Sequence, residues 1–522
     1  MSQPDVIIVG SGPAGVSAAW PLVDAGLTVL MVDAGVDAPA PPPVERPTLA
    51  EARRTGLVRW LLGGKLEHLR TVGNTSPKLR TAAAAEFTQG FVEANRIVSR
   101  GFHVIGTLSP GGLSAVWGAV ACPLPERSFA GWPSVGAAME LSYRRVAERI
   151  GLSGSRLDAE VLGLSGDLPL DPPLPLSRAA HSLLTASPRS AGFALARPIN
   201  AVLSRPKGDR GACQSTKYCM WRCSSRAIYC SADELPALGR HPNFSFRPGV
   251  TVRAVERDAH GWQIVGEDRR TGSVVVLNAP RVVLAAGALP TTRLALAAQR
   301  RFGEWLPLEN TPCVGFGLVL PRLFGRPLVE AGFGMAQLCF RVGLGPLDGF
   351  GLLYDGDVVA ASDIAARMPL TRPASITLTR ALMPALMLGL VYLPPSLSAN
   401  RLRLDGAVND PVLTVEGGWS AGFAPAVTTL RRRLTTEFRR RGGWLLPGSL
   451  AAIDPGGESH LGATLPLGKA TSDIGEVADA AGLYIVDAAC LPRLPVEHQT
   501  LTVMANADRI ASAIAAQVAN GA

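Results

Sequence analysis

Two histidines near the end of the chain are the side chains best suited to acid–base chemistry. His460 and His498 are two of only seven histidines, and they flank a short apolar segment that ends in Asp487. A neutral imidazole titrates close to working pH, so it can take a proton from a substrate hydroxyl. Because a single histidine is more often structural, both a catalytic and a structural role stay open for this pair.

A group of cysteines in the middle of the chain is the second chemical feature. Four of the eight cysteines lie between positions 213 and 230, with the spacing C-x5-C-x3-C-x6-C. The thiolates of Cys213, Cys219 and Cys223 could surround a small iron–sulfur cluster, for which thiolate is the preferred soft ligand. The C-x2-C pairs of a zinc ribbon are missing. The spacing alone leaves both a cluster and a set of free thiols open, and Cys230 lies outside the pattern.

Residues 5–35 indicate the element that must position a cofactor. An apolar strand runs into a G-x-G-x-x-G turn made by Gly10, Gly12 and Gly15, a helix follows, and a second apolar strand ends in Asp33. In such a βαβ unit the glycines allow a tight turn, close approach of a pyrophosphate and close helix–strand packing, while the acid binds a ribose hydroxyl. The helix N-terminus attracts the phosphates. We predict a dinucleotide site here that also includes Pro13, Ala14 and Ala34.

Three later segments could contact the same cofactor. The Gly111-Gly112 turn begins a small-residue segment in which Ser114 and Trp117 could flank a flavin ring. An apolar strand near position 282 runs into Ala286 and Gly287, whose small size suits close packing on a cofactor. The strand that ends in Asp487 suggests a third contact. The predicted cofactor site is completed by Gly112, Gly118, Val252, Ala488, His498, Gln499 and Thr500.

Composition limits the class of protein and its partners. The chain has 522 residues, of which 47% are hydrophobic and 18% charged, as expected for a globular protein. The net charge of +9 is mild for this length, and no basic and aromatic stripe predicts a nucleic-acid partner. The longest apolar run, 381–393, is too short for an integral membrane segment. With no secretory signal visible, we expect a cytoplasmic protein.

The pattern of elements predicts an α/β fold, α+β overall. A Rossmann-like domain that binds the dinucleotide comprises residues 1–135, 200–300 and 450–522, and includes meander strands between 243 and 289. Alternating short strands between 312 and 405 predict an antiparallel sheet in a second, substrate-binding or cap domain of residues 136–199 and 301–449. Residues 36–86 show no clear period and are expected to form an excursion with one or two helices.

Taken together, the βαβ unit, the Gly111-Gly112 segment, the strand at 282–290 and the C-terminal segment resemble the glucose–methanol–choline (GMC) family of FAD oxidoreductases. The resemblance implies FAD along the βαβ unit, with Asp487 near the polar chain of the flavin. It also implies that His460 of the H-x-x-G-T-like segment and His498 face the flavin N5 edge. The cysteine loop resembles that of bacterial FAD glucose and fructose dehydrogenases, which implies a 3Fe-4S cluster on Cys213, Cys219 and Cys223; the cysteine-rich loop of long-chain alcohol oxidases is the alternative.

The resemblance implies oxidation of an alcohol to a carbonyl, with hydride transfer to flavin N5. His460 would be the base and His498 an orienting donor, and the small-molecule substrate would be a sugar, glycoside or other polyol. Electrons would leave through the cluster to an acceptor protein, which makes the enzyme a dehydrogenase. The alternatives are an oxygen-using FAD oxidase acting on a sterol or long-chain alcohol, and a non-redox flavin lyase. His103 is available for covalent attachment of FAD, but nothing in the sequence argues for it.

Overall fold

The computed structural model describes residues 3–37, 48, 49, 51, 88–133, 136–164, 166–186, 190–221, 223–258, 261–329, 331–358, 364, 365 and 368–521. Most of the segment 36–86, and with it the helices expected there, lies outside these residues. The strands in the described part are, in chain order, β1 Val6–Val9, β2 Val29–Asp33, β3 Ile97–Arg100, β4 Phe193–Ala196, β5 Phe244–Pro248, β6 Val250–Asp258, β7 Gly261–Asp268, β8 Val274–Ala279, β9 Arg281–Leu284, β10 Leu306–Pro307, β11 Glu309–Asn310, β12 Cys313–Val319, β13 Leu338–Gly343, β14 Asp348–Asp355, β15 Leu386–Tyr392, β16 Arg401–Ala407, β17 Asp410–Glu416, β18 Trp444–Leu445, β19 Ala451–Ala452, β20 Leu461–Gly462 and β21 Leu483–Ile485.

The α-helices whose bounds fall within the described residues accompany these strands. In chain order they are α1 Pro13–Asp24, α2 Phe91–Ala94, α3 Gly136–Ile150, α4 Arg156–Val161, α5 Arg178–Thr185, α6 Leu235–Leu238, α7 Ala288–Ala298, α8 Arg372–Leu382, α9 Phe423–Arg440 and α10 Thr500–Ala519. No helix in these stretches has both the length and the apolar character needed to cross a bilayer.

A five-stranded parallel sheet, in the order β21-β9-β1-β2-β5, carries the N-terminal motif. The four residues of β1 are fully enclosed, as expected for a strand covered on both faces. Val6 pairs with Val29 of β2 on one side and with Arg281 of β9 on the other. α1 packs along α10, so the first and last helices of the chain cover the same sheet. The predicted βαβ unit is confirmed.

The strands after position 243 follow the prediction in part. β6, β7 and β8 form an antiparallel sheet, in which Val265 of β7 faces Val276 of β8, as the predicted hairpin requires. The prediction that residues 244–246 belong to a meander is wrong, because β5 joins the parallel sheet with Phe244 beside Val29. A short run of alternating residues cannot distinguish a parallel edge strand from a meander strand.

A seven-stranded antiparallel sheet forms the second layer. Its main path is β18-β12-β15-β14-β13-β4, and β19 also pairs with β12. The prediction that β16 belongs to it is wrong, because β16 pairs with β10 and β17 in a separate four-stranded sheet. Leu402 and Leu404 of β16 are buried in the same hydrophobic core as the strands of the parallel sheet. The fold is therefore α/β in its first sheet and α+β overall, as predicted.

Candidate active site

The glycine turn after β1 is built for close packing. Gly10 has φ +105°, and a Cβ there would lie 2.4 Å from the carbonyl oxygen of Ala285. A Cβ on Gly15 would lie 1.9 Å from the carbonyl oxygen of Gly10, so α1 can approach the turn only with glycine at this position. α1 starts after Gly12 without a side-chain cap. Its first N–H groups are therefore left for a ligand.

Asp33 fixes the turn from the end of β2. Its carboxylate accepts hydrogen bonds from the Ser11 backbone N–H at 2.7 Å, the Ser11 hydroxyl at 2.8 Å and the Gly35 N–H at 2.7 Å. Burial raises the pKa of Asp33 above its ordinary value, and these hydrogen bonds oppose the shift. The Ser11 hydroxyl also accepts from the Gly111 N–H at 3.0 Å, which joins the second glycine turn to the first.

Ser114 and Trp117, both predicted beside the ring, differ in position. Trp117 lines the cavity described below, and its indole N–H donates to the Tyr229 carbonyl at 2.7 Å. Ser114 lies behind the lining, where its hydroxyl donates to the Gly111 carbonyl at 2.5 Å and contacts the Ser231 hydroxyl at 3.2 Å. Its role in the structure is to hold the turn rather than to face the cavity.

Asp487 occupies the predicted position at the end of the last parallel strand. It accepts hydrogen bonds from the Gly287 N–H at 2.9 Å, the Thr291 hydroxyl at 2.5 Å and the Ala489 N–H at 2.9 Å. Burial raises the pKa of Asp487 to about 6. The carboxylate therefore links the Ala286-Gly287 turn to the C-terminal segment, which brings both predicted contacts to one place.

The two histidines meet although 38 positions separate them in the sequence. Their ring centroids lie 4.7 Å apart with an 85° interplanar angle, and the Tyr392 ring is 4.8 Å from each. His460 directly precedes β20, which pairs with β11, and His498 lies just before α10. The Nδ1 atoms of both rings are buried without a hydrogen-bond partner within the described residues.

Burial keeps both imidazoles neutral. It lowers the pKa of His460 to about 4. It also lowers the pKa of His498 well below its ordinary value, and the neighbouring His460 adds to that shift. Both rings are therefore uncharged at neutral pH, and each is a weaker base than an exposed imidazole.

Glu458 is a third titratable group at this end, and the sequence analysis missed it. One carboxylate oxygen accepts a hydrogen bond from the Asn310 amide at 2.8 Å, and the other is buried without a partner within the described residues. Asn310 is held in turn by the Asn400 amide, which donates to it at 2.7 Å. Burial raises the pKa of Glu458 to about 8. The sequence feature that could have indicated Glu458 is its position two residues before His460.

One cavity of about 1240 Å³ joins the glycine turns to the histidines. Its second half is walled by apolar side chains of the antiparallel sheet, such as Phe316, Leu388 and Leu390. The charged side chains among the described lining residues are Asp33, Glu458 and Asp487, and none is Lys or Arg. The predicted site residues in the lining are Gly10, Gly12, Pro13, Ala14, Asp33, Ala34, Gly112, Trp117, Gly118, Val252, Ala286, Gly287, His460, Asp487, Ala488, His498, Gln499 and Thr500.

The cavity suits an FAD molecule at both ends. α1 and the 20-residue α10 each begin at the cavity without a side-chain cap, so each presents backbone N–H groups to a polar or anionic ligand. Several polar side-chain atoms near the histidines are buried and unpaired within the described residues, as expected where a polar ring would supply the partners. They are Thr311 Oγ1, Glu458 Oε2, Ser459 Oγ, His460 Nδ1, His498 Nδ1 and Gln499 Oε1.

The three predicted cluster ligands lie beside the cavity, and each has other contacts. The Cys213 backbone N–H donates to the Leu203 carbonyl at 2.9 Å, the Gly334 N–H donates to the Cys219 sulfur at 3.3 Å, and the Cys223 sulfur is 3.5 Å from the Ser225 hydroxyl. Across the described residues, no three His, Cys, Asp or Glu side chains are grouped so that they could hold a metal ion. The ligand set stays a prediction without structural support.

His103 is engaged elsewhere. Its Nε2 lies 3.1 Å from an oxygen of Asp454, and the residue is not part of the cavity lining. Its backbone N–H donates to the Pro455 carbonyl at 2.8 Å.

Comparisons with solved structures agree with this architecture over nearly the whole chain. Comparison with models of known protein families finds no match. The solved structure of a fungal aryl-alcohol oxidase superposes with a TM-score of 0.57 at 14% identity, covering 99% of this chain and 100% of that one. Pyridoxine 4-oxidase from Mesorbium loti superposes with a TM-score of 0.56 at 17% identity, covering 98% of each chain. The chain therefore has the Rossmann-like fold of these oxidases.

One sequence relative aligns along nearly the whole chain. Paromamine 6'-oxidase of Streptomyces fradiae is 24% identical over 533 aligned residues, which cover 98% of this chain and 91% of that protein.

Proposed function

We propose that the protein is an FAD-dependent oxidoreductase of the GMC family that oxidises the CH–OH group of a small-molecule alcohol to a carbonyl. The observation that carries the proposal is the pair of neutral imidazoles, 4.7 Å apart, at the end of a cavity that begins at the glycine turn. The fold that the chain shares with the two oxidases supports the same assignment. So does the sequence relative that aligns over 98% of this chain. The assignment of individual site residues is part of this proposal.

Bound FAD would supply the hydride acceptor, at its N5. His460 is the proposed acceptor of the hydroxyl proton, because its neutral ring has a free nitrogen lone pair, although burial lowers its pKa to about 4 and makes it a weaker base than an exposed imidazole. His498, whose ring stands at 85° to that of His460, orients the hydroxyl. The apolar walls exclude water, which strengthens the interaction of both rings with the reacting oxygen. The uncapped N-terminus of α10 would present backbone N–H groups to the polar edge of a bound flavin.

The cavity wall bears on the substrate class. Phe316, Leu388 and Leu390 favour an alcohol with a largely apolar or aromatic body over the sugar or polyol that the family resemblance implies. The named relatives act on an aryl alcohol, pyridoxine and paromamine, so a ring-bearing alcohol fits all three. We propose an apolar or aromatic alcohol as the first substrate class, with sugars and long-chain alcohols as alternatives.

The electron acceptor distinguishes two candidate enzymes. The three relatives are named oxidases, which favours molecular oxygen. The second candidate is a dehydrogenase that passes electrons through a 3Fe-4S cluster on Cys213, Cys219 and Cys223 to an acceptor protein. Its support is the cysteine spacing in the sequence, and Met220, next to Cys219, lines the cavity, so a cluster on this loop would lie near the bound flavin. The domain bounds given above and a cytoplasmic location remain proposals from the sequence.

An absorbance titration of the purified protein tests the proposal. We expect flavin bands that bleach when aromatic or other alcohols are added without oxygen, and hydrogen peroxide when air is admitted to an oxidase. Bleaching without peroxide, together with iron and acid-labile sulfide in the protein, would identify the dehydrogenase. Flavin that no alcohol in an aryl, aliphatic, sugar and amino-sugar panel reduces would overturn the assignment in favour of a non-redox lyase. Protein without flavin would overturn the cofactor.

A further inference from the structure

The mouth of the cavity is surrounded by exposed apolar side chains. We call this surface the apolar rim; each of its members is between 37% and 56% exposed, and they are Phe324, Leu328, Val329, Leu370, Ile376, Leu378, Trp444 and Leu446. Four of them, Phe324, Leu370, Leu378 and Leu446, also line the cavity, so the rim is continuous with its apolar wall.

Backbone contacts hold the segments of the rim together. The Gly325 N–H donates to the Ala381 carbonyl at 2.8 Å, which joins the turn after Phe324 to the end of α8. Trp444 of β18 pairs with Val319 of β12, five positions before Phe324. The rim is therefore one surface rather than scattered residues, and apolar patches of this kind usually mark an interaction site.

Helix α8 shows that the exposure is built into the sequence. The helix turns Ser375 and Thr379, which are 3% and 2% exposed, toward the protein. Ile376 and Leu378 remain outside, at 49% and 37% exposed. A surface helix in water normally has the opposite arrangement. α8 also buries Leu382, and its outer side therefore presents apolar side chains beside the exposed Arg372 and Arg380.

The described charged side chains in the segments that carry the rim are all basic, although the sequence places Glu330 directly after Val329. Within the described residues of segments 317–329, 364–365, 368–382 and 439–451 there is no Asp or Glu. The same segments carry the exposed arginines Arg322, Arg326, Arg372, Arg380, Arg439 and Arg440. The guanidinium of Arg439 lies 5.2 Å from the centre of the Trp444 ring, so apolar and cationic groups alternate.

We infer that the apolar rim docks on the surface of an anionic phospholipid bilayer. Apolar side chains that enter the headgroup region beside arginines that contact anionic lipids are the recognised arrangement of a protein lying on a membrane. Charge complementarity favours lipid over a second copy of this chain, whose identical rim would bring arginines together. Docking would place the cavity mouth against the bilayer, where an apolar alcohol is concentrated. The inference concerns binding and does not depend on the reaction.

Vesicle sedimentation of the flavin-loaded full chain tests the inference. We expect the protein to sediment with phosphatidylcholine vesicles that contain about 30 mol % phosphatidylglycerol, and much less with pure phosphatidylcholine or in high salt. Ile376→Asp and Leu328→Asp, which lie outside the cavity lining, should each lower the bound fraction by about tenfold. The matched controls are Leu157→Asp and Val274→Asp, since both side chains are more than 70% exposed but lie away from the rim.

Two results would overturn the inference. One is sedimentation that is absent, or that falls equally in the controls. The other is a dimer that the Ile376→Asp variant dissociates, measured by light scattering, because it would assign the rim to a second copy. Retention of flavin and alcohol-dependent bleaching in each variant shows that the fold and the proposed reaction are intact, so failure of either idea is recognised separately.

Discussion

The two ends of the cavity are built in different ways. The glycine end is largely local, since Gly10, Ser11 and Asp33 fall within 25 residues and their polar groups satisfy one another. The histidine end gathers Asn310, Tyr392, Glu458, His460 and His498 from four separate segments, and it leaves several buried polar atoms unpaired. A complete hydrogen-bond network favours a rigid binding element, whereas unpaired atoms are available for a ligand.

The difference separates binding from chemistry. Substitutions at the glycine end should change the affinity for FAD and leave the rate of the loaded protein unchanged. Substitutions at the histidine end should do the reverse. The predictions below test this division.

The largest effect is expected for His460→Ala. Without the imidazole the hydroxyl proton has no acceptor at the cavity end, so flavin reduction by an alcohol should slow by about 10²- to 10⁴-fold with FAD still bound. Anaerobic stopped-flow absorbance measures the rate. His181→Ala, on the exposed side of α5, serves as the control and should leave the rate unchanged. A loss of less than about tenfold would contradict the assignment of His460 as the base.

Asp33→Ala should weaken FAD binding at the glycine end of the cavity. The substitution removes the acceptor of the Ser11 and Gly35 N–H groups, and an unpaired buried N–H costs about 1–3 kcal/mol. We therefore expect FAD to dissociate about ten- to a hundredfold more readily, measured by ultrafiltration of diluted protein. The rate of reduction per bound flavin should stay as in the parent protein. Equal losses in rate and affinity would remove the distinction between the two ends.

The sequence predicted the glycine end well because local geometry determines it. A strand, a turn with glycines at fixed spacing, a helix and a terminal acid can be recognised without knowing any distant contact. The strand that ends in Asp487 was found for the same reason. Ser114 was predicted as a residue that could flank the ring; its hydroxyl contacts Ser231, 117 residues away, and no local pattern predicts that contact.

The histidine end could be predicted only in part, since long-range contacts create it. The resemblance to a family pointed to both histidines, but no pattern indicated that Tyr392 lies beside them or that Glu458 is buried against Asn310. Alternation likewise predicted β16 as a strand but not its sheet, because alternation gives the face of a strand and not its partner.

Arg341 and Glu497 connect the antiparallel sheet to the segment that carries His498, and breaking this pair should have an intermediate effect. Arg341 of β13 binds the carboxylate of Glu497, the residue before His498. The Arg341 guanidinium also lies 5.9 Å from the centre of the Phe350 ring, and the centres of the Phe350 and His498 rings are 6.1 Å apart. Glu497→Ala leaves a buried cation unpaired, so both kcat and the unfolding temperature should fall, kcat by about tenfold.

The double variant Arg341→Met with Glu497→Met separates positioning from stability. Replacing both charges by apolar groups of similar size should restore the unfolding temperature, because the unpaired charge is gone. The rate should remain low, since the ion pair no longer ties Glu497, the residue next to His498, to β13. Recovery of kcat together with stability would show that the ion pair is only structural.

The smallest expected effect is a change in how stability depends on pH. In the folded protein burial raises the pKa of Glu458 from its ordinary 4.5 to about 8, so the folded state keeps a proton that the unfolded chain has lost. Stability should therefore fall as pH rises from about 4.5 to about 8 and then level off. Glu458→Gln removes this slope.

Scanning calorimetry of the flavin-loaded protein between these pH values measures the effect. The unfolding temperature of Glu458→Gln should exceed that of the parent by about 2 °C or more at pH 8 and by little at pH 5. Glu256→Gln, at an exposed position of β6, should show the same difference at every pH. A gap that does not widen with pH would mean that Glu458 is ionised in the folded protein. The histidine end would then hold a fixed negative charge at Glu458, two residues before His460, whereas the carboxylate of the glycine end, Asp33, is held by three hydrogen bonds.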